Sequence, residues 1–158
     1  MEENQKLIYI GSDHAGYEVK EDVQKYLTEK GNKVIDLGVF SGGSVDYPDI
    51  AREVSEKVVD NEGSFGVLIC GTGVGMSMAA NKVFGIRALQ ASTKEEAEMS
   101  RKHNNANLIC LGARTQQFDD MKVILNVFLE TAFEGGRHEM RVDKITGIEK
   151  DMCKKCEL

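Results

Sequence analysis

Short apolar runs alternate with amphipathic segments along the whole chain. The runs are rich in Ile, Val and Leu and nearly continuous in apolarity, as are strands that are buried on both faces of a sheet. The predicted strands are residues 6–11, 33–38, 66–71, 86–90 and 107–112. Between them, apolar residues at helical spacing form three stripes, which are Val19, Val23, Tyr26 and Leu27, then Ile50, Val54 and Val58, and then Met121, Ile124, Leu125, Phe128, Leu129 and Ala132.

The alternation of strands and helices predicts the fold class. Successive βα units pair their strands in parallel and place helices on both faces, so we expect an α/β fold with a doubly wound, parallel, five-stranded sheet. The single proline, Pro48, suits the first turn of the second helix. No linker or internal repeat divides residues 1–158, which we interpret as one domain with a polar C-terminal helical tail from about residue 134.

Composition narrows the classes of function. The chain has 158 residues, 41% of them apolar, and a net charge of -6, which indicates a soluble globular protein. An acidic chain is not expected to bind nucleic acid, although a phosphorylated small molecule needs only a local positive patch. The N-terminal segment has no long apolar stretch, so we predict neither a signal peptide nor a membrane span. The four cysteines do not form a disulfide framework, which favours a reducing cytoplasm.

Several reactive side chains lie at predicted strand ends. Ligands of open parallel sheets bind beyond the carboxyl ends of the strands. Residues 12–14 follow the first strand, residues 70–75 end the third, and residues 112–114 end the fifth. His103 and Asn104 lie just before the fifth strand. We expect these groups to gather around one rim of the sheet.

The sequence Gly-Thr-Gly-Val-Gly occupies residues 71–75, directly after the third strand. It could be only a tight turn from strand to helix. It could equally bind an anion, because successive backbone N–H groups and a helix N-terminus favour a negative oxygen. The loop lacks the Gly-Lys-Ser/Thr of a P-loop and the spacing of a dinucleotide fingerprint, so the expected anion is smaller than a dinucleotide.

Two cysteines end apolar strands, and their surroundings differ. Taken alone, Cys70 could be a small core residue. Its place before a glycine loop and a helix N-terminus favours the thiolate form, which could be a nucleophile for acyl transfer or a base beside a developing enolate. Cys110 has no such loop, so we interpret it as a core residue.

Asp13 and His14 each have a structural and a functional interpretation. Asp13 could cap the first helix, and a loop histidine such as His14 could simply be solvated. Their position at a strand end also suits a binding or catalytic role. Asp13, His14 and Cys70 have no standard ligand spacing, so no metal is expected there.

The C-terminal tail carries two pairs of candidate residues. Arg137 and Arg141 lie four residues apart and form either a solvated basic face or a phosphate clamp, since forked guanidinium groups match phosphate oxygens. Cys153 and Cys156 resemble half of a zinc site, but no second pair completes it. A frayed, lysine-flanked tail is the better interpretation of that segment.

Taken together, these motifs resemble the type B ribose-5-phosphate isomerases, of the family that also holds the galactose-6-phosphate isomerase subunits. The resemblance runs from residue 6 to about residue 149, and any one motif alone would be weak. The motifs are Gly-Ser-Asp-His at 11–14, Asp-Tyr-Pro at 46–48, Ile-Cys-Gly-Thr-Gly-Val-Gly at 69–75, Ala-Asn-Lys at 80–82, Arg-Lys-His-Asn at 101–104, Gly-Ala-Arg at 112–114 and Glu-Gly-Gly-Arg-His at 134–138 with Arg141.

The resemblance implies a Rossmann-like fold and an aldose–ketose isomerase that needs no cofactor and no metal. The implied reaction interconverts D-ribose 5-phosphate and D-ribulose 5-phosphate through a cis-enediolate. The implied partners are the phosphorylated sugar and further copies of the chain, in a homodimer or homotetramer with the active site at the subunit interface. Neither nucleic acid nor a membrane is an expected partner.

The resemblance also implies roles for individual residues. Cys70 matches the proton-transfer base, and His103 matches the group that opens the furanose ring, with Asp13 assisting. Thr72 could shuttle protons or bind the enediol hydroxyls. The positions matched to the substrate and enediolate are His14, Gly71, Gly73, Val74, Gly75, Asn104, Arg114, Arg137 and Arg141. The Cys153/Cys156 tail lies outside the family pattern.

Three alternatives stay open. The substrate could be a six-carbon sugar phosphate such as allose 6-phosphate or galactose 6-phosphate. A non-catalytic sugar-phosphate-binding protein would need the glycine loop and the arginines but neither Cys70 nor His103, so their joint presence favours an enzyme. A dinucleotide-binding module is disfavoured by the loop spacing and by the lack of a second domain.

Overall fold

The computed structural model describes residues 5–40 and 43–156, and in these ranges the chain forms five strands and six helices. In chain order they are β1 (Leu7–Ser12), α1 (Tyr17–Glu29), β2 (Lys33–Asp36), α2 (Tyr47–Asp60), β3 (Phe65–Cys70), α3 (Val74–Ala80), β4 (Ala88–Gln90), α4 (Lys94–Asn104), β5 (Leu108–Gly112), α5 (Phe118–Glu130) and α6 (Arg137–Cys156). None of these helices is long and apolar enough to cross a membrane.

The strands form one parallel sheet with the order β2-β1-β3-β5-β4. Side chains of α1, α4 and α5 pack on one face, around Val23, Ala97 and Phe128. Side chains of α2 and α3 pack on the other face, around Val54 and Met76. The predicted α/β class, the parallel sheet and the helices on both faces are therefore confirmed.

The observed strand ends differ from the predicted ones by one or two residues in most strands. β4 is the shortest strand, with three residues instead of the predicted five. The backbone N–H of Arg87 donates to the side-chain Oδ1 of Asn107 at 2.8 Å, so the chain enters the sheet only at Ala88. Pro48 lies in the first turn of α2, as predicted.

The C-terminal tail is the long helix α6, which confirms the predicted helical tail. Cys153 and Cys156 lie inside this helix and are exposed, so the prediction of a frayed end is wrong. At the other end of the segment, α5 stops at Glu130. Ala132 therefore lies beyond the helix, although it continues the apolar stripe.

A buried lysine ties α1 to the loop that follows β2. The Lys20 side chain is 1% exposed, and its Nζ lies 2.7 Å from both carboxylate oxygens of Asp36 and 2.7 Å from the carbonyl oxygen of Val39. The same loop is hydrogen-bonded to Ser12, since the Ser12 N–H donates to the Gly38 carbonyl at 2.8 Å. The pair therefore holds the loop against the end of β1.

We expect Lys20→Met to lower the free energy of unfolding by about 3–5 kcal/mol, because it leaves the Asp36 carboxylate largely buried and unpaired. The methionine keeps most of the side-chain volume, so packing contributes little to this loss. Urea unfolding measures the effect. Lys25→Met, at an exposed position of the same helix, is the matched control and should change stability by less than about 0.5 kcal/mol. An equal loss in both variants would contradict the assignment.

Candidate active site

Three loops meet at the carboxyl edge of the sheet. The strand register pairs Ser12 with Ile69 and Cys70 with Gly112, so the ends of β1, β3 and β5 lie side by side. Backbone hydrogen bonds join the loops: the Asp13 N–H donates to the Ile69 carbonyl at 3.2 Å, and the Ala113 N–H donates to the Cys70 carbonyl at 2.8 Å. Asp13, Cys70 and the segment after β5 are thus neighbours, as predicted.

The order of the strands reverses direction between β1 and β3, which makes this gap the topological switch point of the sheet. The chain leaves β1 toward β2 at one side of the sheet and leaves β3 toward β4 at the other. As a consequence, α1 and α3 pack on opposite faces and diverge from this edge. Such a crevice is the usual ligand site of an open parallel sheet.

The Cys70 side chain lies at the base of this crevice and is 5% exposed. Its Sγ accepts a hydrogen bond from the backbone N–H of Gly73 at 3.1 Å. Gly73 has φ +81°, and a Cβ there would come within 3.2 Å of the backbone of Cys110 and Leu111. Only glycine combines that conformation with that fit, so the glycine is what lets the loop fold back over the thiol.

Cys110 provides a contrast within the same sheet. Its side chain is fully buried, and this burial, with a smaller contribution from Cys70, raises the thiol pKa well above its usual value. A thiol that is buried and protonated cannot serve as a base. The prediction that Cys110 is a core residue is confirmed.

The rest of the 71–75 loop faces solvent and two neighbouring side chains. The Thr72 hydroxyl accepts a hydrogen bond from the Val74 N–H at 3.3 Å, and Thr72 is exposed. Gly71 lies against the Arg114 guanidinium: a Cβ added at Gly71 would be 3.3 Å from a guanidinium nitrogen of Arg114. Gly75 lies against the Tyr47 ring, where a Cβ would come within 2.8 Å. The loop is therefore bounded by a cation on one side and an aromatic ring on the other.

Tyr47 borders the candidate site, and the sequence reasoning did not assign a role to it. It belongs to the Asp-Tyr-Pro motif and begins α2, which places its ring over Gly75. The Asp-Tyr-Pro motif was a signal in the sequence that could have marked Tyr47 for a role. It gave no link to the glycine loop, because the two segments are far apart along the chain. Only the packing of α2 beside α3 brings the two together.

Asp13 does not cap α1, whose N-cap residue is Gly16, but forms a turn just before that helix. Its Oδ1 accepts hydrogen bonds from the N–H groups of Ala15 at 2.9 Å and Gly16 at 3.1 Å, and the residue is 7% exposed. These bonds fix the carboxylate beside the end of β3. His14 follows it and is exposed to solvent at the same edge. The predicted helix cap is therefore wrong, and the turn uses only Oδ1, which leaves Oδ2 of Asp13 for a functional role.

His103 and Asn104 do not lie at this rim within one chain, so the prediction that all candidates share one rim is wrong. They end α4, which runs antiparallel to the strand that follows it. A segment that precedes a parallel strand lies at the amino edge of the sheet. Gly66 pairs with the first residue of β5 and so marks the amino edge. At about 3.3 Å per residue, the strand from Gly66 to Cys70 at the carboxyl edge is about 13 Å long.

The end of α4 is held rigidly in that position. The Arg87 Nε donates to the carbonyls of Asn104 at 3.0 Å and Asn105 at 3.1 Å. Arg101 is 9% exposed and donates to the Thr131 carbonyl at 3.2 Å and the Asn105 Oδ1 at 3.0 Å. Burial lowers the pKa of both guanidinium groups. Movement of His103 to the rim of its own chain would break this network.

At the same amino edge, α6 begins beside the end of α4. The rings of His103 and His138 are stacked, with centroids 4.1 Å apart and an angle of 10° between their planes. The His138 Nε2 lies 3.4 Å from Glu134 Oε2. Burial lowers the pKa of His138, and the neighbouring His103 and then Arg137 lower it further. His138 and Glu134 were quoted in a motif, but no role was assigned to them.

Arg137 is the first residue of α6, and Arg141 follows one turn later. Both are exposed, and both lie on the turn that carries His138. The candidate residues therefore form two groups. The carboxyl-edge group is Asp13, His14, Cys70, residues 71–75 and Arg114, and the amino-edge group is His103, Asn104, Arg137 and Arg141.

Potential metal ligands converge at one place among the described residues. Side-chain ligand atoms of His103, Glu134 and His138 all lie within 4.8 Å of one another. Asp13, His14 and Cys70 form no such group. Among the described residues, the candidate metal ligands therefore lie at the amino edge.

The chain matches known proteins over nearly its whole length. A family model described as Ribose/Galactose Isomerase matches residues 8–145. The chain is 43% identical over 145 residues to ribose-5-phosphate isomerase B of Escherichia coli, covering 92% of this chain and 97% of that protein.

Solved structures show the same fold. The structure of ribose-5-phosphate isomerase B from Clostridium thermocellum is similar with a TM-score of 0.90 and 46% identity, covering 92% of this chain and 99% of that one. The corresponding protein of Thermotoga maritima is similar with a TM-score of 0.87 and 47% identity, covering 90% and 98%. The fold and site thus define an isomerase with a parallel α/β sheet. The chain belongs to the ribose/galactose isomerase family.

Proposed function

We propose that this isomerase interconverts D-ribose 5-phosphate and D-ribulose 5-phosphate through a cis-enediolate. The observation that carries the proposal is the Cys70 thiol, which accepts a hydrogen bond from the Gly73 N–H at the base of the β1/β3 crevice. The Escherichia coli relative is named for ribose 5-phosphate, which supports a pentose as the substrate.

The reaction moves a proton between adjacent carbons. The Cys70 thiolate removes the proton from C2 of the open-chain aldose, which leaves a cis-enediolate. The same sulfur returns the proton to C1, while the C2 oxygen becomes the ketone and the C1 oxygen becomes a hydroxyl. Backbone N–H groups of residues 71–75 stabilise the oxygen charge of the intermediate, and Thr72 exchanges the hydroxyl proton.

The separation of the two residue groups supports a site shared between two subunits. The amino edge of one chain supplies His103, Asn104, Arg137 and Arg141, and the carboxyl edge of its partner supplies the thiol and the loop. Exposed apolar residues are compatible with such an assembly: Val74 and Met78 lie on one face of α3, and Ile145, Ile148 and Met152 lie on one face of α6. In this proposal α6 forms dimer contacts and carries the phosphate-binding arginines.

We expect His103→Asn to impair ring opening more than proton transfer. The variant should lose about 100-fold more kcat/KM on ribose 5-phosphate, which is a furanose in solution, than on D-erythrose 4-phosphate. The four-carbon sugar cannot close a furanose ring, because its 4-oxygen carries the phosphate. Equal losses on the two substrates would show that the histidine acts at another step.

A comparison of substrates tests the proposed function itself. Rates of ketose formation from ribose 5-phosphate, allose 6-phosphate and galactose 6-phosphate should give the highest kcat/KM for the pentose. A preference for a hexose would move the protein to the other branch of the family, whose description includes galactose. Binding of ribose 5-phosphate without ketose formation would indicate a non-catalytic binder.

A further inference from the structure

We propose that His103, Glu134 and His138 form a binding site for a divalent transition-metal ion such as Zn²⁺ or Co²⁺. The three side chains meet where α4 ends and α6 begins. Nothing in the proposed proton transfer uses Glu134 or His138. The site is therefore additional to the proposed function.

The donor set has the chemistry of a known class of metal site. Two imidazole nitrogens and one carboxylate oxygen suit Zn²⁺ and Co²⁺, and three protein ligands leave a fourth position for water. With metal–ligand bonds of about 2.0–2.1 Å, tetrahedral ligand atoms lie about 3.3 Å apart. The Glu134 Oε2 and His138 Nε2 are already 3.4 Å apart, and all ligand atoms lie within 4.8 Å. The two imidazole rings are stacked with 10° between their planes, so the His103 ring must rotate out of the stack before both nitrogens can direct a lone pair at one ion.

The backbone holds all three ligands in place. The Glu134 N–H donates to the Lys102 carbonyl at 3.2 Å, which joins the carboxylate-bearing residue to the last turn of α4 beside His103. Gly135 and Gly136 have φ +67° and +56°, and they turn the chain so that His138 faces back toward Glu134. His138 is 5% exposed, so it has little freedom to leave the cluster.

The charges around the cluster set the expected affinity. Glu134 supplies one negative charge, and the positive charges of Arg137 and Arg141 oppose a cation. Both arginines are exposed, so solvent and salt weaken their repulsion. The site is accordingly expected to bind a metal ion reversibly, and a chelator should remove it.

Metal binding would have a consequence that rests on the proposed function. A ligated His103 has given its free nitrogen lone pair to the ion and cannot exchange protons with a sugar. Occupancy should therefore lower turnover of ribose 5-phosphate, and a chelator should restore it. Metal binding at this site would thus inhibit the isomerase reversibly.

A cobalt titration of the full chain tests the binding. The protein carries Cys153→Ser and Cys156→Ser, because the exposed Cys-x-x-Cys pair of α6 could bind the same ions. We expect one Co²⁺ per chain, with visible ligand-field bands and no thiolate charge-transfer band. Glu134→Gln and His138→Gln should each weaken binding by at least about tenfold. Glu139→Gln, an exposed carboxylate on the same helix, is the matched control and should bind normally.

The outcomes separate this proposal from the proposed function. Unchanged cobalt affinity in Glu134→Gln, which is exposed and should fold normally, would overturn the site. A thiolate band in the double-serine protein would place the ion at Cys70 and also overturn it. Full turnover with the site occupied would overturn the inhibitory role. A metal-free protein without isomerase activity would refute the proposed function and leave the binding result unaffected.

Discussion

Cys70→Ala is expected to lower kcat for ribose 5-phosphate by about 10²–10⁴-fold while KM changes little. The thiolate contributes mainly in the transition state, where the proton is being transferred, so its loss affects the chemical step and not binding. Steady-state kinetics of ketose formation measure both constants. Cys153→Ala removes an exposed thiol on α6 and should leave both constants unchanged. Near-normal turnover in Cys70→Ala would end the assignment of the base.

Alkylation offers an independent measurement of the same residue. In a protein carrying Cys153→Ser and Cys156→Ser, the remaining thiols are Cys70 and the fully buried Cys110. Iodoacetamide should inactivate this protein through Cys70, and ribose 5-phosphate should slow the inactivation. Modification without loss of activity would contradict the role of the thiol.

The second large effect is expected from the arginines of α6. Arg137→Ala or Arg141→Ala should raise KM for the phosphorylated sugar by about 10- to 150-fold, because each charge-assisted bond to phosphate contributes about 1.5–3 kcal/mol. The loss in kcat should be smaller, since the phosphate lies away from the reacting carbons. Lys144→Ala removes an exposed cation from the same helix and is the matched control. An unchanged KM in both arginine variants would exclude a phosphate clamp.

Mixing two variants that are both inactive at a substrate concentration far below the raised KM tests whether the site is shared between subunits. Cys70→Ala keeps the arginines, and the Arg137→Ala/Arg141→Ala protein keeps the thiol, so a hybrid dimer has one intact site. Random exchange at equal concentrations makes half of the dimers hybrid, and activity should return to about a quarter of the wild-type level. No recovery after verified exchange would place the arginines and the thiol in the same chain's site.

The local pattern of the sequence determined most of the fold. Buried strands and amphipathic helices are encoded by the spacing of apolar residues over fewer than 20 positions, so the five strands with their approximate ends and three of the six helices were predictable. The 71–75 loop and the turn formed by Asp13 are also local, since their hydrogen bonds join residues within three positions. The parallel arrangement followed from the alternation of elements.

Contacts between distant segments were decided only by the tertiary structure. Lys20 shares the apolar face of α1 with Val23 and Leu27, and a pattern analysis could have noticed a charge at that position. Its partner Asp36 lies 16 residues away, and only the packing of α1 beside β2 identifies it. The contact between Tyr47 and Gly75 likewise depends on the packing of α2 against α3.

The two-group arrangement of the candidate site depends on both levels. The order of elements already places the thiol and the glycine loop after β3 and His103 before β5, but it carries no information about which distant segment packs beside each group. Because α4 runs antiparallel to β5, His103 lies at the amino edge, while Cys70 lies at the carboxyl edge. The contacts among His103, Glu134 and His138 also depend on how α6 packs against α4, which only the folded chain decides.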